Sequence, residues 1–156
     1  MTLHKGDNDE SEACYRYIGS HHLRDGGDGR KKLPDGKRRA ARAAFYVLAI
    51  TDTMGYLKGR QSGWPQVVEN NSSTPERRAA AEKWAPYFDG ANFASRIACP
   101  VRVAVGFSDT TCPPCAVYAA YNEIKVKDKA IGNGLGMTHS CRQQFYSKFG
   151  NWARAK

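Results

Sequence analysis

Strand-like and helix-like segments alternate after Pro100, and this alternation constrains the fold more than any other feature of the sequence. β-branched residues fill VRVAVGF at 101–107, and a weaker strand pattern follows in KAIGN at 129–133. A helical pattern, CAVYAAYNEIKV, occupies 115–126, and an amphipathic helix closes the chain over 141–156. The order strand, helix, strand, helix predicts an α/β fold with a mostly parallel sheet flanked by helices. Ligands of such sheets gather at the carboxyl ends of the strands.

Upstream of Pro100 the pattern is less regular. Residues 45–50 form a continuous apolar run, which is typical of a strand buried on both faces of a parallel sheet, with a helix as the alternative. Glycine, proline and asparagine are frequent over 51–75, which predicts a loop-rich excursion. The segment ERRAAAEKWAPYF at 76–88 then predicts a short helix that stops near Pro86.

Residues 1–40 are polar and rich in glycine, so we expect a loop or poorly ordered segment there and a folded domain over 41–156. Of the 24 Lys and Arg residues, which exceed the 15 acids, seven crowd into the run Arg30–Arg42. A basic, non-enzymatic module that binds polyanions is one interpretation of this run. The run contains no aromatic residues that could stack on bases, so a solvated tail is favoured over contact with nucleic acid.

The composition excludes a membrane span, because only 41% of the residues are apolar and no window approaches the roughly 18 apolar residues that a spanning helix needs. The first residues, MTLHKGDNDESEACYRY, are acidic and polar, unlike a secretory signal. An odd count of five cysteines indicates reduced thiols. Together these features predict a cytoplasmic protein.

Asp109 and His139 are the first candidates for chemistry. Asp109 directly follows the predicted strand 101–107, and His139 follows the next strand, each in a short loop before a helix. Because the ends of neighbouring parallel strands meet at one edge of the sheet, we expect the two side chains to meet. An acid placed beside an imidazole can orient it and stabilise its charged form. An Asp in a turn also commonly caps the following helix.

Four stretches carry a resemblance that spacing alone does not supply: GRQSGWP (59–65), YFDGANFASRIACPV (87–101), GFSDTTCPPCAVYAAYNEIK (106–125) and GLGMTHS (134–140). In order and spacing they resemble the C-terminal part of the acetyl xylan esterase and cephalosporin C deacetylase family of carbohydrate esterases. The resemblance extends from about Tyr46 to the end of the chain. It implies the C-terminal portion of an α/β-hydrolase.

The resemblance also implies an activity, the deacetylation of acetylated sugars or related small esters by a serine nucleophile, without a metal or other cofactor. Asp109 in G-F-x-D-x-x-C-P-P resembles the acid of the catalytic triad, and His139 in G-x-x-H resembles its base. Trp64 lies in the excursion that borders the active site of the family. It is a candidate for substrate contact, or alternatively a residue that packs the loop onto the domain.

The sequence departs from the family at the nucleophile, because no serine occurs in a G-x-S-x-G elbow. Neither Ser20 nor Ser62 has glycines at both positions that the elbow requires, and Ser108 abuts Asp109 and a proline pair, so none of them is a good candidate. The nucleophile therefore stays unknown. We expect the chain to be inactive alone. Its expected partner is either a missing N-terminal half or further copies of the chain, since members of the family are often homo-oligomers.

Two further groups of residues, a cysteine pair and a cluster of histidines with a cysteine, are candidate sites. Cys112-Pro-Pro-Cys115 follows a strand and begins a helix, as in thioredoxin-like thiol oxidoreductases, but no proline follows Pro114 to supply their facing loop. A simple structural role is therefore favoured for these cysteines. A second group lies near the start of the chain, and its spacing matches no usual zinc pattern: His4, Cys14, His21 and His22. Tyr118 and Tyr121 are predicted to be packing residues.

Overall fold

A computed structural model describes residues 30–32, 38–40, 42–140 and 143–154 of the chain. Its first two strands, β1 (Arg30–Lys32) and β2 (Arg38–Ala40), pair in antiparallel fashion. Both strands belong to the segment for which the sequence predicts a loop or poor order. The rest of residues 1–41 lies outside the described part, so the expected boundary near residue 40 stays a prediction.

Three strands form the sheet that carries the domain: β3 (Ala43–Tyr46), β4 (Val101–Gly106) and β5 (Lys129–Gly134). Their order is β3-β4-β5 and both pairings are parallel. The parallel α/β sheet predicted from the sequence is therefore confirmed. Since all three strands run in the same direction, the loops that follow β4 and β5 emerge at the same edge of the sheet.

The apolar run at 45–50 forms a strand only at its start, so the prediction of a buried strand over the whole run is wrong. β3 ends at Tyr46, and the buried centre of the sheet is β4, in which every residue except Arg102 is buried. After β3 the backbone turns away, with positive φ angles of 47° at Val47 and 48° at Ile50. The amide of Ile50 donates to the carbonyl oxygen of Trp64 at 2.6 Å, so this part of the run bonds to a loop instead of a strand.

Helices cover both faces of the sheet. On one face α3 (Gly90–Ala94) and α4 (Pro114–Glu123) lie over a core whose sheet residues alternate along the strands. These core residues are Phe45, Val101, Val103 and Val105 from the sheet, with Val117, Ala120 and Ile124 from α4 and the loop after it. On the other face α5 (Gln143–Arg154) packs Phe145 and Phe149 against Ala104. The predicted closing helix is thus confirmed over its described part.

The excursion between β3 and β4 contains more helix than the sequence predicts. It contains a 3-10 helix over Gly55–Lys58 and a first α-helix, α1 (Val67–Asn70), both of which were expected to be loop. The next helix, α2 (Pro75–Trp84), confirms the predicted helix and continues into a 3-10 turn over Ala85–Tyr87. Thr74 begins α2 by accepting a hydrogen bond from the amide of Arg77 at 3.3 Å. Among the described helices, none combines the length and apolar character needed to cross a bilayer.

Candidate active site

Asp109 lies in the tight loop that connects β4 to α4, and its side chain is fully buried. Its Oδ1 accepts hydrogen bonds from the amides of Thr111 at 2.8 Å and Cys112 at 2.9 Å. These two bonds fix the carboxylate within its own loop, as expected for an Asp in a turn before a helix. The second oxygen, Oδ2, points to a different part of the chain.

His139 lies in the loop after β5 and approaches Asp109 from the neighbouring strand. Its Nδ1 is 3.2 Å from Oδ2 of Asp109, and 53% of the His139 side chain is exposed. Buried Met137 fixes the base of the loop, since its amide donates to the carbonyl oxygen of Gly134 at 3.0 Å. The two residues predicted to meet at the sheet edge therefore do meet.

This arrangement suits an acid and base pair. With the proton on Nδ1, the ring donates to the carboxylate and its other nitrogen, Nε2, is left with a free lone pair that can accept a proton. The buried carboxylate of Asp109 then stabilises the imidazolium that forms. The exposed fraction of His139 leaves room for a reacting group beside the ring.

Gly106, the last residue of β4, makes the approach of the two loops possible. A Cβ atom at this position would lie 2.7 Å from the carbonyl oxygen of Thr138 and closer still to that of Met137. Any larger residue would push the His139 loop away from the end of β4. The role of Gly106 was not predicted, although a glycine at the end of a buried strand is a known sign of close backbone approach.

Comparison with known proteins places the chain in a family. The family model for acetyl xylan esterase (AXE1) matches residues 68–155, which is more than half of the chain. The chain belongs to this family. It is also 36% identical over 84 residues to the acetyl esterase Axe7A of Xylanibacter ruminicola, an alignment that covers 53% of this chain and 18% of that protein.

Two solved structures of the same family resemble the fold. The acetyl xylan esterase of Paenibacillus sp. R4 matches with a TM-score of 0.62 and 26% identity, over 74% of this chain and 37% of that one. Acetyl xylan esterase 1 of Thermoanaerobacterium sp. JW/SL YS485 matches in fold with a TM-score of 0.61 and 24% identity, over 73% of this chain and 37% of that one. The domain is thus an α/β-hydrolase fold, and the chain spans well under half the length of these relatives.

Of the described serine candidates, Ser62 lies apart from the acid and base pair, and Ser108 lies beside it without a hydrogen bond to His139. Ser62 is buried, and its hydroxyl donates to the carbonyl oxygen of Thr53 at 3.3 Å. Ser108 is exposed on the Asp109 loop. Ser20 lies outside the described residues. Over residues 42–140 and 143–154, no serine hydroxyl forms a hydrogen bond with His139.

The two cysteines of Cys112-Pro-Pro-Cys115 have the opposite exposure to that of a thioredoxin-like pair. Cys112, the first, is buried, whereas Cys115 is exposed and its Sγ donates to the carbonyl oxygen of Gln61 at 3.3 Å. Burial raises the pKa of the Cys112 thiol to about 11, and the nearby charge of Asp109 raises it further while a backbone bond from Trp64 opposes the shift. A thiol with so high a pKa is a poor nucleophile, so nothing supports the oxidoreductase alternative.

Trp64 lies next to the loop that carries Asp109. Its amide donates to the carbonyl oxygen of Thr111 at 2.9 Å, and the side-chain amide of Gln66 donates to the same oxygen at 3.1 Å. A further bond runs from the side chain of Gln61 to the carbonyl oxygen of Thr110. These bonds from the backbone and from the two glutamines therefore hold the excursion against the Asp109 loop. Trp64 itself is 53% exposed.

Asp89 is a second buried carboxylate, and no sequence pattern predicts a role for it. It accepts hydrogen bonds from the amides of Asp52 at 3.1 Å and Thr53 at 2.7 Å, and from the Thr53 hydroxyl at 2.8 Å. It also begins α3 by accepting from the amide of Ala91 at 2.8 Å. Asp89 therefore ties the start of the excursion to α3 and stabilises the loop on which Trp64 lies.

The remaining predicted groups have simple positions. Tyr118 and Tyr121 pack against the core as predicted, and the Tyr118 hydroxyl donates to Oδ1 of Asn133 at 2.9 Å. Arg42, the last residue of the basic run, lies with its guanidinium 5.3 Å from the centre of the Trp152 ring. The other side chains of that run lie outside the described part, as does the group of four possible zinc ligands near the start of the chain: His4, Cys14, His21 and His22.

Proposed function

We propose that this chain supplies the acid and the base of an acetyl esterase that acts on acetylated xylan or related small acetate esters. The observation that carries the proposal is the contact of the Asp109 carboxylate with Nδ1 of His139 at 3.2 Å, at the ends of two adjacent parallel strands. Membership of the acetyl xylan esterase family supports the substrate class.

In the proposed reaction, Nε2 of His139 takes the proton of a serine hydroxyl as the oxygen attacks the acetyl carbonyl carbon. The imidazolium then gives this proton to the leaving sugar oxygen, which leaves an acetyl group on the serine. A water molecule, activated by the same nitrogen, releases acetate and restores the serine. Throughout these steps Asp109 holds the ring in one tautomer and balances its positive charge.

We further propose that the serine and its oxyanion-binding amides come from residues other than these 156. No G-x-S-x-G elbow occurs in the sequence, and the hydroxyl of Ser62 is already engaged with Thr53. Oxyanion donors contribute about 3–4 kcal/mol each to transition-state stabilisation, so their absence matters as much as that of the serine. The chain alone is then expected to hydrolyse esters no faster than buffer.

Trp64 is the proposed substrate-contact residue. Its ring is exposed on a loop that is bonded to Thr111, two residues after Asp109. An exposed aromatic face on a loop bonded to the loop of the acid suits the apolar face of a pyranose ring. The expected effect of Trp64→Ala is a raised KM for acetylated xylooligosaccharides with little change for a small aryl acetate.

The test is a chimera in which residues 42–156 replace the matched C-terminal region of the Paenibacillus sp. R4 acetyl xylan esterase. We expect the chimera to hydrolyse aryl acetate. We expect Asp109→Asn to lower kcat/KM by about 10⁴-fold and His139→Ala to lower it by about 10⁶-fold. The matched control is Asp128→Asn, since Asp128 is an exposed carboxylate that pairs with Arg102 at 2.8 Å away from the site. This variant should keep its rate.

Each part of the proposal has its own contrary result. A folded chimera in which His139→Ala hydrolyses as fast as the parent would exclude His139 as the base. Hydrolysis by the original chain that is lost in Ser108→Ala would instead place the nucleophile at Ser108 and remove the need for an outside serine. Circular dichroism of each variant separates a lost reaction from a lost fold.

A further inference from the structure

Cys112 carries a buried free thiol that the proposed reaction does not use. Its Sγ, a carboxylate oxygen of Asp109 and a ring nitrogen of His139 all lie within 4.8 Å of one another. No other group of three such residues comes together in the part of the chain that the structure describes. We propose that these three side chains form a binding site for a thiophilic divalent cation, Zn²⁺ above all.

The donor set suits that ion. Zn²⁺ binds thiolate, imidazole and carboxylate ligands together, at about 2.0–2.3 Å, and three protein ligands leave a fourth tetrahedral position for water. Hard ions such as Mg²⁺ and Ca²⁺ prefer sites made of oxygen alone. A site with one sulfur, one nitrogen and one oxygen ligand therefore selects zinc and its neighbours in the first transition series over the alkaline earth ions.

Two of the three ligands are already held in place. The amides of Thr111 and Cys112 bind Oδ1 of Asp109, so one short loop fixes the carboxylate and the thiol together. Both residues are buried. Metal binding thus costs little ordering of the protein at this side of the site.

His139 is the ligand that moves. Donor atoms around a tetrahedral zinc ion lie about 3.4–3.8 Å apart, so the present spread of up to 4.8 Å must contract by roughly 1 Å. More than half of the His139 side chain is exposed, so its ring can shift without displacing packed neighbours.

The charge around Asp109 also favours a cation. Its carboxylate is fully buried, and among the described residues its ion-pair partner is His139 and no Lys or Arg. A divalent ion balances the charge of the carboxylate and of the thiolate, whose proton passes to solvent on binding. The ion also binds Asp109 and His139, which otherwise hydrogen-bond to each other, so it prevents His139 from acting as a base. The metal site stands on this geometry, and only the inhibition rests on the proposed function.

The test uses the full chain and Co²⁺, which reports a bound thiolate by a near-ultraviolet charge-transfer band. We expect the band to appear with Co²⁺ and to disappear when Zn²⁺ is added. Cys112→Ser should abolish the band. His139→Ala removes a direct ligand, so it should weaken Co²⁺ binding by more than the roughly 10–100-fold that loss of an outer-shell partner costs. Cys115→Ser, three residues away and exposed, is the matched control and should keep the band.

The contrary results are equally definite. A band that persists in folded Cys112→Ser, or one that is lost in Cys115→Ser but not in Cys112→Ser, overturns the proposal. So does the absence of any band in the parent chain. His139→Ala changes an exposed side chain, so it keeps the test decisive even if Cys112→Ser fails to fold. No ester is present in this measurement, so its failure leaves the esterase proposal standing, and the chimera assay in turn leaves the metal site standing.

Discussion

Asp89 and Asp109 are both buried carboxylates, but the groups that bind them differ. Both oxygens of Asp89 accept hydrogen bonds from the chain around it, the amides and hydroxyl of Asp52, Thr53 and Ala91. Asp109 uses one oxygen in the same way and turns the other to the exposed, titratable ring of His139. Burial alone therefore does not mark a reactive carboxylate in this fold. The distinguishing feature is an oxygen that the local backbone leaves available.

The first way to sharpen this comparison is to remove each carboxylate. Asp89→Ala leaves four donors without their acceptor, two of them from Thr53 in a buried position, so we expect the free energy of unfolding to fall by about 3–5 kcal/mol. Asp109→Ala should lower the free energy of unfolding by about half as much, because only two backbone amides lose their acceptor. Urea denaturation measures both. Equal losses would mean that Asp109 has a structural role as large as that of Asp89.

The setting of Asp109, unlike that of Asp89, depends on the close approach of two loops at Gly106. Gly106→Ala should lower the free energy of unfolding by about 2–3 kcal/mol, because its Cβ would overlap the carbonyl oxygens of Met137 and Thr138. The control is Gly59→Ala, at φ 71° with open space around it, which should cost about 1 kcal/mol from backbone conformation alone. If the two variants lose the same stability, the approach at Gly106 is not tight.

Unfolding at high pH tests whether the surroundings of Cys112, which lies in the loop of Asp109, are apolar. The folded state holds the Cys112 thiol at a pKa of about 11 against an ordinary 9.0, so it keeps a proton that the unfolded chain releases first. The stabilising effect is complete below pH 9 and is lost as the pH rises to about 11, a decrease of about 3 kcal/mol. Urea denaturation of the parent and Cys112→Ser isolates this effect. Parallel curves for the two proteins would contradict it.

The smallest expected effect is the most direct test of the difference between the carboxylates. In Asp109→Asn the amide oxygen can still accept from Thr111 and Cys112, while the amide nitrogen faces a His139 ring that can change tautomer and accept. We expect the free energy of unfolding to change by less than about 1 kcal/mol. In Asp89→Asn the amide nitrogen must face an existing donor, so a loss of about 2 kcal/mol is expected. The reverse order would exchange the roles of the two residues.

The sequence predicts the fold best where its signals are local. β-branched residues indicate β4, and the proline pair before Cys115 indicates the start of α4, so both elements lie where expected. The predicted end of β3 was wrong because its position depends on a residue far along the chain. The apolar run continues to Ile50, but the amide of Ile50 bonds to Trp64 across the excursion, and no local pattern encodes that bond.

The candidate site divides in the same way. Asp109 and His139 follow consecutive strands, so the rule that strand ends meet at one edge is enough to bring them together. Asp89 and Gly106 were missed because their roles are set by residues far along the chain, Thr53 for Asp89 and Thr138 for Gly106. A lone Asp before a short helix or a lone Gly after a strand has many ordinary explanations.

The main chain itself sets the spacing between the Asp109 and His139 loops. The amide of Phe107 donates to the carbonyl oxygen of Gly134 at 3.1 Å, and that of Ser108 donates to Met137 at 3.0 Å. Because these bonds use no side chains, substitutions at the exposed residues Phe107 and Ser108 can accumulate over evolution without changing the distance between the loops. Insertions and deletions in either loop are different, since each would shift the register of these bonds. At the exposed positions of these two loops, length is therefore the property that selection must preserve, more strictly than residue identity.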